Sequence, residues 1–203
     1  MLDDDEISYI EALLADIDGP ISVLEWGSGG STAYFPARLR ERGVAYRWVS
    51  LEYDESWYAQ VQKWTAADPA TEVVLFPTDP TQAKRKDVTM DEYVNYPSIL
   101  GETSDLIFVD GRKRRRCLLT ARNLLTERGV VLLHDAQRSY YHCAWRAYPS
   151  GRIVLGKLWL ARIQPPSFKH SIVEVLTTVL FEANGRFGKF FKSLVCAREY
   201  PSL

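Results

Sequence analysis

The sequence has few cysteines and lacks any long apolar run. Its cysteines, Cys117, Cys143 and Cys196, are three in number and far apart. None of their spacings suits a metal site, so we expect free thiols, a reducing compartment and a cytoplasmic protein. No apolar run approaches the roughly 20 residues that a membrane-spanning helix requires, so no transmembrane segment is predicted. The acidic stretch 1–6 is unlike a signal peptide.

An excess of charge of either sign is also missing. The chain has 25 Lys and Arg against 26 Asp and Glu, which leaves a net charge of −1. Proteins that bind nucleic acid usually carry a strong basic surface, so we expect a small-molecule partner and no nucleic acid. A length of 203 residues with 46% hydrophobic residues suits a single domain with a sizeable core.

Short apolar runs alternate with helical patterns along the chain. Residues 21–26, 46–51, 106–109 and 130–133 are predicted strands, and the last two are apolar throughout. Continuous apolar runs are typical of parallel strands that are buried on both faces. The alternation therefore predicts an α/β fold, a doubly wound and mostly parallel sheet in three layers with helices on both sides.

The chain is predicted to be one domain, 1–203, with three parts. The core covers 20–163 and ends in a hairpin at 153–163. The segment 77–103 is too long for a plain connection, so it is either a solvated insertion or a short helix with a functional loop. Residues 167–203 are predicted to form a helical extension. Two further helices are expected, one around 139–147 and one before Gly129 with its leucines, Leu119 and Leu125 among them, facing inward.

The most informative stretch is VLEWGSGGST at 23–32, where a strand ends in an acid and a glycine turn precedes a helix. Gly27 and Gly29 can adopt backbone angles that other residues avoid, which lets a nucleotide-like ligand approach the backbone. The alternative is a turn that only joins strand to helix. A dinucleotide fingerprint would require glycine at Thr32, so a nicotinamide cofactor is disfavoured. Glu52 ends the second strand at a spacing that suits an acid binding ribose hydroxyls.

These motifs resemble those of class I S-adenosylmethionine-dependent methyltransferases. The glycine loop and Glu52 match the family in order. VDG at 109–111 and LLHD at 132–135, separated by one helix, resemble small O-methyltransferases that include macrocin-type sugar methyltransferases. The resemblance spans about residues 20–145. It implies a seven-stranded sheet whose last strand is antiparallel, with S-adenosylmethionine across the carboxyl ends of the first strands.

The resemblance also implies which residues hold S-adenosylmethionine. Glu25 would reach the ammonium group, directly or through water, and N–H groups near Ser31 and Thr32 would meet the carboxylate. Glu52 would bind the ribose hydroxyls, Tyr53 would pack near the adenine, and Asp79 would lie near the adenine amine. The full expected set is Glu25, Gly27, Ser28, Gly29, Gly30, Ser31, Thr32, Glu52, Tyr53 and Asp79.

The expected catalytic residues are Asp110, His134 and Asp135. Asp110 would orient the acceptor or act as a general base on a hydroxyl. Alternatively, Asp110 and Asp135 would bind Mg²⁺ through their oxygens, although the neighbouring imidazole is a poor ligand for that ion. His134 would accept a proton at neutral pH, or it is a buried histidine bonded to backbone.

A basic run at 112–116, RKRRR, departs from the family pattern. Cations at a helix start oppose the helix dipole, so an anionic acceptor would explain the run, as would a solvated helix face. The sequence thus predicts a methyltransferase that uses S-adenosylmethionine to O-methylate a small anionic acceptor, with a homodimer as one possible assembly. The alternatives are a non-catalytic S-adenosylmethionine-binding or interaction protein and, less favoured, a nicotinamide oxidoreductase.

Overall fold

The computed structural model describes residues 2–164, which contain a single seven-stranded sheet in the order β3-β2-β1-β4-β5-β7-β6. The strands are β1 (Ile21–Trp26), β2 (Tyr46–Glu52), β3 (Thr71–Leu75), β4 (Ser104–Val109), β5 (Leu125–Leu133), β6 (Ser150–Leu155) and β7 (Leu158–Arg162). β1 to β5 are parallel, and β7 is antiparallel to both β5 and β6. The doubly wound, mostly parallel seven-stranded fold with an antiparallel β7 is therefore confirmed.

Helices cover both faces of this sheet. They are α1 (Asp4–Ala15), α2 (Gly30–Glu41), α3 (Glu55–Thr65), α4 (Pro80–Ala83), α5 (Asp91–Leu100), α6 (Arg114–Ala121) and α7 (His142–Trp145), with a 3-10 turn at Ser139–Tyr141. Alternate residues of each strand point to opposite faces. Val23 accordingly packs in one hydrophobic cluster with α1 and α2, and Leu24 in a second with α5 and α6. No helix within residues 2–164 is both long and apolar enough to cross a membrane.

The helix α1 begins at a capping box formed by Asp3 and Glu6. Asp3 accepts a hydrogen bond from the Glu6 N–H at 3.0 Å, and Glu6 accepts one from the Asp3 N–H at 3.0 Å. This reciprocal pair satisfies two N–H groups at the helix start. It also fixes the Glu6 side chain, which is buried on the sheet with only 2% of its surface exposed.

Three sequence-based expectations need correction in this part of the chain. Leu119 is 52% exposed, because α6 turns Cys117 and Leu118 inward and ends at Ala121. Leu125 is buried, but it begins β5. The helix expected over 139–147 is instead a 3-10 turn followed by the short α7.

The segment 77–103 contains two helices, α4 and α5. Tyr93, Val94 and Pro97 of α5 are buried, so this part of the segment packs on the sheet and is not a solvated insertion. The hairpin expected at 153–163 is formed by β6 and β7. The extension expected at 167–203, together with Cys196, lies outside the described residues.

Candidate active site

The glycine loop and the end of β2 meet at the carboxyl edge of the sheet. Glu52 Oε2 accepts hydrogen bonds from the Ser28 N–H at 3.1 Å and the Ser28 hydroxyl at 2.8 Å. Glu52 Oε1 accepts from the N–H groups of Tyr53 and Asp54 at 2.8 and 3.0 Å. Burial raises the pKa of Glu52, and these four donors partly offset that effect. The two features predicted to converge therefore do so, through Ser28.

Glu25 lies beneath the loop and not on its surface. It is fully buried and accepts hydrogen bonds from the hydroxyls of Ser31, Thr32 and Ser50 and from the indole N–H of Trp48. Burial raises the pKa of Glu25, and the hydrogen bonds oppose that rise. The expected direct contact between Glu25 and an ammonium group is therefore not available in this structure. Glu25 instead organises the first turn of α2.

The glycines of the loop have different functions. Gly27 has φ +97°, and a Cβ there would lie 2.6 Å from the N and Cα atoms of Gly111. Gly27 thus allows the ends of β1 and β4 to pack backbone against backbone. Gly29 has φ 170°, which is extended backbone, so the predicted need for unusual angles there is wrong. A Cβ at Gly30 would meet no described residue within 4 Å, so space is open above the loop.

Aromatic side chains flank this open space. The indole N–H of Trp57 donates to the Ser28 carbonyl at 2.8 Å, and its ring lies 3.8 Å from the point where a Cβ of Gly29 would stand. Tyr53, after β2, contacts Arg112, whose Nε lies 3.1 Å from the phenol oxygen. The sequence does not indicate that Trp57 contacts the glycine loop, since helical spacing alone predicts one more aromatic residue of α3.

Asp79 reaches the same edge of the sheet. The N–H groups of Phe76 and Thr78 donate to the carbonyls of Glu52 and Tyr53, at 2.7 and 2.9 Å, so the chain continues alongside the end of β2. Asp79 then caps α4 and accepts from the N–H groups of the helix start. The location matches the expectation for Asp79, and its contact with an adenine stays a prediction.

Asp110 and His134 lie side by side at the ends of β4 and β5. His134 Nδ1 is 3.0 Å from Asp110 Oδ1, and Nε2 is 3.5 Å from Glu6 Oε2. Burial alone would lower the pKa of His134, but Asp110 and Glu6 outweigh it and raise the pKa to about 9. The ring is therefore a cation at neutral pH and has no free lone pair. The ring is buried, but its contacts are carboxylates and not backbone groups. A catalytic role for His134 stays a prediction, which the raised pKa disfavours for a proton acceptor at neutral pH.

Asp135 pairs with arginines. Its Oδ2 lies 2.9 Å from Arg138 Nη2 and 3.2 Å from Arg114 Nη1. Burial would raise the pKa of Asp135, but the nearby cations Arg114, His134 and Arg138 outweigh it and hold the pKa below its ordinary value. Asp135 is thus an ionised partner for arginine, and its expected catalytic role stays a prediction.

The expected Mg²⁺ site does not fit these residues. Ligand atoms of Asp110, His134 and Asp135 do lie within 4.8 Å of one another. However, the Arg114 guanidinium lies 2.7 Å from Asp110 and 3.2 Å from Asp135, so it already holds the two carboxylates. An ion bound to both acids would have to lie against this cation. Magnesium is therefore not supported.

Most of the basic run has partners within the chain. Besides Arg114, Arg116 pairs with Asp91, and the Lys113 ammonium donates to the Arg85 carbonyl at 2.6 Å. Arg112 and Arg115 lie over the rings of Tyr53 and Tyr140, with 5.6 and 5.8 Å between each guanidinium carbon and the ring centroid. The unfavourable position of these cations at a helix start is thus offset largely by acids and carbonyls brought near by the fold.

Comparisons with known proteins bear on the family and the fold of this chain. A family model described as a methyltransferase domain matches residues 24–136. A methyltransferase-like protein from Silicibacter pomeroyi has a similar structure, with a TM-score of 0.59 and 23% identity over 88% of this chain and 95% of that chain. A search of curated proteins found no match to the sequence.

Two further solved structures share the fold. The CMeT domain of the citrinin polyketide synthase has a TM-score of 0.56 and 14% identity, over 78% of this chain and 51% of that one. Human methyltransferase-like protein 13, solved in complex with S-adenosylhomocysteine (SAH), has a TM-score of 0.50 and 16% identity, over 85% and 84%. The predicted class I methyltransferase fold is confirmed, whereas the macrocin-type subgroup stays a prediction. Because the family model matches more than half of its length, the chain belongs to the family of methyltransferase domains.

Proposed function

We propose that this chain transfers a methyl group from S-adenosylmethionine to a hydroxyl oxygen of a small anionic acceptor. The observation that carries the proposal is the meeting of the glycine loop and Glu52 beside open space at Gly30. Open α/β sheets bind their ligands at this carboxyl edge. Asp110 lies at the same edge, since its N–H donates to the Trp26 carbonyl at 2.9 Å directly before the loop.

The residues of the loop suit the donor. The first N–H groups of α2 lack intrahelical partners and would meet the donor's carboxylate, while Glu25 holds the hydroxyls of Ser31 and Thr32 from below. A ribose hydroxyl would take the place of the Ser28 hydroxyl on Glu52 Oε2. The adenine would pack near Tyr53, with Asp79 at the far side.

Asp110 is the residue best placed to act on the acceptor. Its Oδ1 is held by His134 and by Arg114 at 3.0 and 2.7 Å, and 28% of its side chain remains exposed. The sulfonium of bound S-adenosylmethionine supplies an already activated methyl group. As the oxygen–carbon bond forms and the carbon–sulfur bond breaks, the hydroxyl proton passes to the Asp110 carboxylate.

An anionic acceptor is favoured by the side chains that follow Asp110. Arg115 is exposed and lies over the ring of Tyr140, which is 58% exposed, so the pair presents positive charge and a flat apolar surface together. Carboxylates and phosphates are well matched by such a guanidinium. A homodimer and a cytoplasmic location stay predictions from the sequence.

The donor half of the proposal is tested by calorimetry with S-adenosylmethionine and S-adenosylhomocysteine. We expect Glu52→Gln to weaken both at least tenfold, because a hydrogen bond to a charged group contributes about 1.5–3 kcal/mol. The control Glu72→Gln alters an acid of β3 that pairs with Arg47 and should bind like the wild type. Equal affinity for both folded variants would remove Glu52 from the donor site.

The acceptor half is tested with donor labelled in its methyl group. The wild type is incubated with small-molecule extracts separated by anion exchange, and labelled products are identified by mass spectrometry. We expect label in a retained fraction, with loss of at least a hundredfold in rate for Asp110→Asn and no change for Asp18→Asn, an exposed acid before β1. Donor binding without transfer to any fraction would favour the non-catalytic alternative.

A further inference from the structure

The ends of β4 and β5 are joined by the guanidinium of Arg114. Arg114 begins α6, directly after the turn that follows β4, and only 10% of its side chain is exposed. Its guanidinium reaches from Asp110 to Asp135, two acids that are 25 residues apart in the chain. The described residues contain one group of three side chains that could together hold a metal ion, formed by Asp110, His134 and Asp135.

Each of the three nitrogens of the Arg114 guanidinium has an acceptor in this place. Nε donates to the Gly111 carbonyl at 3.0 Å, and Nη1 donates to the His134 carbonyl at 2.6 Å and to Asp135 Oδ2 at 3.2 Å. Nη2 donates to the carbonyl of Asp110 at 2.6 Å and lies 2.7 Å from its Oδ1. Four hydrogen bonds and one close ion pair thus engage all three nitrogens within the chain.

The oxygen atoms that Arg114 contacts are of the kind that would coordinate a bound divalent ion. A hard cation binds carboxylate and carbonyl oxygens, and Arg114 contacts five such oxygens from both strand ends. Arg114 contacts both carboxylates in this partly buried space, whereas His134 contacts only Asp110 of the two, and Arg138 only Asp135. With Arg114 present, an entering ion would have to displace the guanidinium or lie against it, and both are costly in a site of reduced dielectric.

We propose that Arg114 serves as the permanent cation of this site and makes it independent of metal. The guanidinium holds the ends of β4 and β5 together and directs the Asp110 carboxylate, as a divalent ion would. Arg114 is thus a positioning residue, because it reaches the acceptor only through Asp110. The inference depends on the proposed function solely for the statement that Asp110 faces the acceptor.

Removal of Arg114 should therefore create a metal site that the wild type lacks. We expect Mn²⁺ to bind Arg114→Ala at least tenfold more tightly than the wild type, measured by calorimetry and by the electron paramagnetic resonance signal of free Mn²⁺. The matched control is Arg122→Ala, which removes an exposed arginine at the other end of the same helix and should behave like the wild type. Circular dichroism establishes that each variant is folded.

The outcomes separate this inference from the proposed function. Tight Mn²⁺ binding by the wild type, or no gain in a folded Arg114→Ala protein, would overturn the inference. If Arg114→Ala does not fold, Arg114→Gln replaces it, and if that also fails, the wild-type measurement decides alone. Binding of S-adenosylmethionine is recorded separately without metal, so a failure of the donor assignment is visible by itself.

Discussion

The pair of glycines in the loop offers the sharpest test of the site's geometry. Gly27 and Gly30 are three residues apart, yet their surroundings are opposite. A methyl group at Gly27 would lie 2.6 Å from two main-chain atoms of Gly111, whereas one at Gly30 would meet no described residue within 4 Å. Gly27→Ala and Gly30→Ala are therefore matched substitutions that add the same atom, one to a packed and one to an open position.

The cost of Gly27→Ala can be worked from two parts. A positive φ in a residue other than glycine costs roughly 1–2 kcal/mol. The phenol oxygen of Tyr93 also packs against Gly111, 2.0 Å from where a Cβ of Gly111 would stand, so this backbone contact is tightly enclosed. Forced overpacking of this kind costs about 1–3 kcal/mol. We expect Gly27→Ala to lose about 2–5 kcal/mol in the free energy of unfolding.

Gly30→Ala should have the opposite profile. Alanine is favoured over glycine in a helix by about 0.8–1 kcal/mol, so the free energy of unfolding should stay the same or rise. The new methyl group would nevertheless occupy the open space above the loop, so S-adenosylmethionine should bind at least tenfold more weakly.

Urea denaturation followed by tryptophan fluorescence measures the stability of both variants, and calorimetry measures their donor affinity. The geometric reasoning would be refuted if Gly27→Ala were as stable as the wild type. Unchanged affinity in Gly30→Ala would show that the open space is not where the donor lies.

Three further predictions concern the buried polar groups. The pKa of His134 is about 9 in the folded state against an ordinary 6.5, so its contacts stabilise the fold fully below about pH 6.5 and the effect is lost as pH rises through about 9. Relative to His134→Gln, the wild type should thus lose up to roughly 3 kcal/mol of unfolding free energy between about pH 6 and 10 in urea titrations. A difference in unfolding free energy between the two proteins that stays constant with pH would contradict the ion pairs of His134. Glu6→Gln should make this pH-dependent loss smaller. Glu25→Gln places a new donor among four existing donors, so thermal melts should show a destabilisation of about 1–3 kcal/mol. An unchanged melting temperature would contradict the buried hydrogen-bond network around Glu25. Trp57→Phe removes the indole N–H that binds the Ser28 carbonyl at 2.8 Å, and calorimetry should show weaker donor binding in a protein whose melting temperature changes little; equal binding would exclude Trp57 from the site.

Much of the fold could be predicted from local patterns. The apolar runs predicted the central strands because a parallel strand buried on both faces has no place for polar side chains. The start of α3 has a local cause as well, since the Asp54 carboxylate caps the N–H groups of Ser56 and Trp57. The predicted bounds of the short helices were wrong because such signals are missing there. Helix α6 has eight residues, and nothing in its leucine spacing indicates that it ends at Ala121.

The site was predictable in location but less so in chemistry. Glu25 and Glu52 are both acids at strand ends, and only the packing shows that one lies beneath the loop among hydroxyls while the other meets Ser28. His134 could be recognised as an unusual residue at a strand end. Its charge could not, because Glu6 comes from the N-terminal helix, far away in sequence.

The sequence by itself determined the order of strands and helices, the placement of the glycine turn and the acids at the strand ends, because these follow from residue periodicity and from neighbours a few positions apart. Only the tertiary structure decided what each charged group does. Arg114 meets Asp135 because β4 and β5 are adjacent and parallel, and their ends bring the two side chains to 3.2 Å across 21 residues of chain. A guanidinium in a basic run becomes a buried clamp through that long-range pairing, which no local pattern encodes.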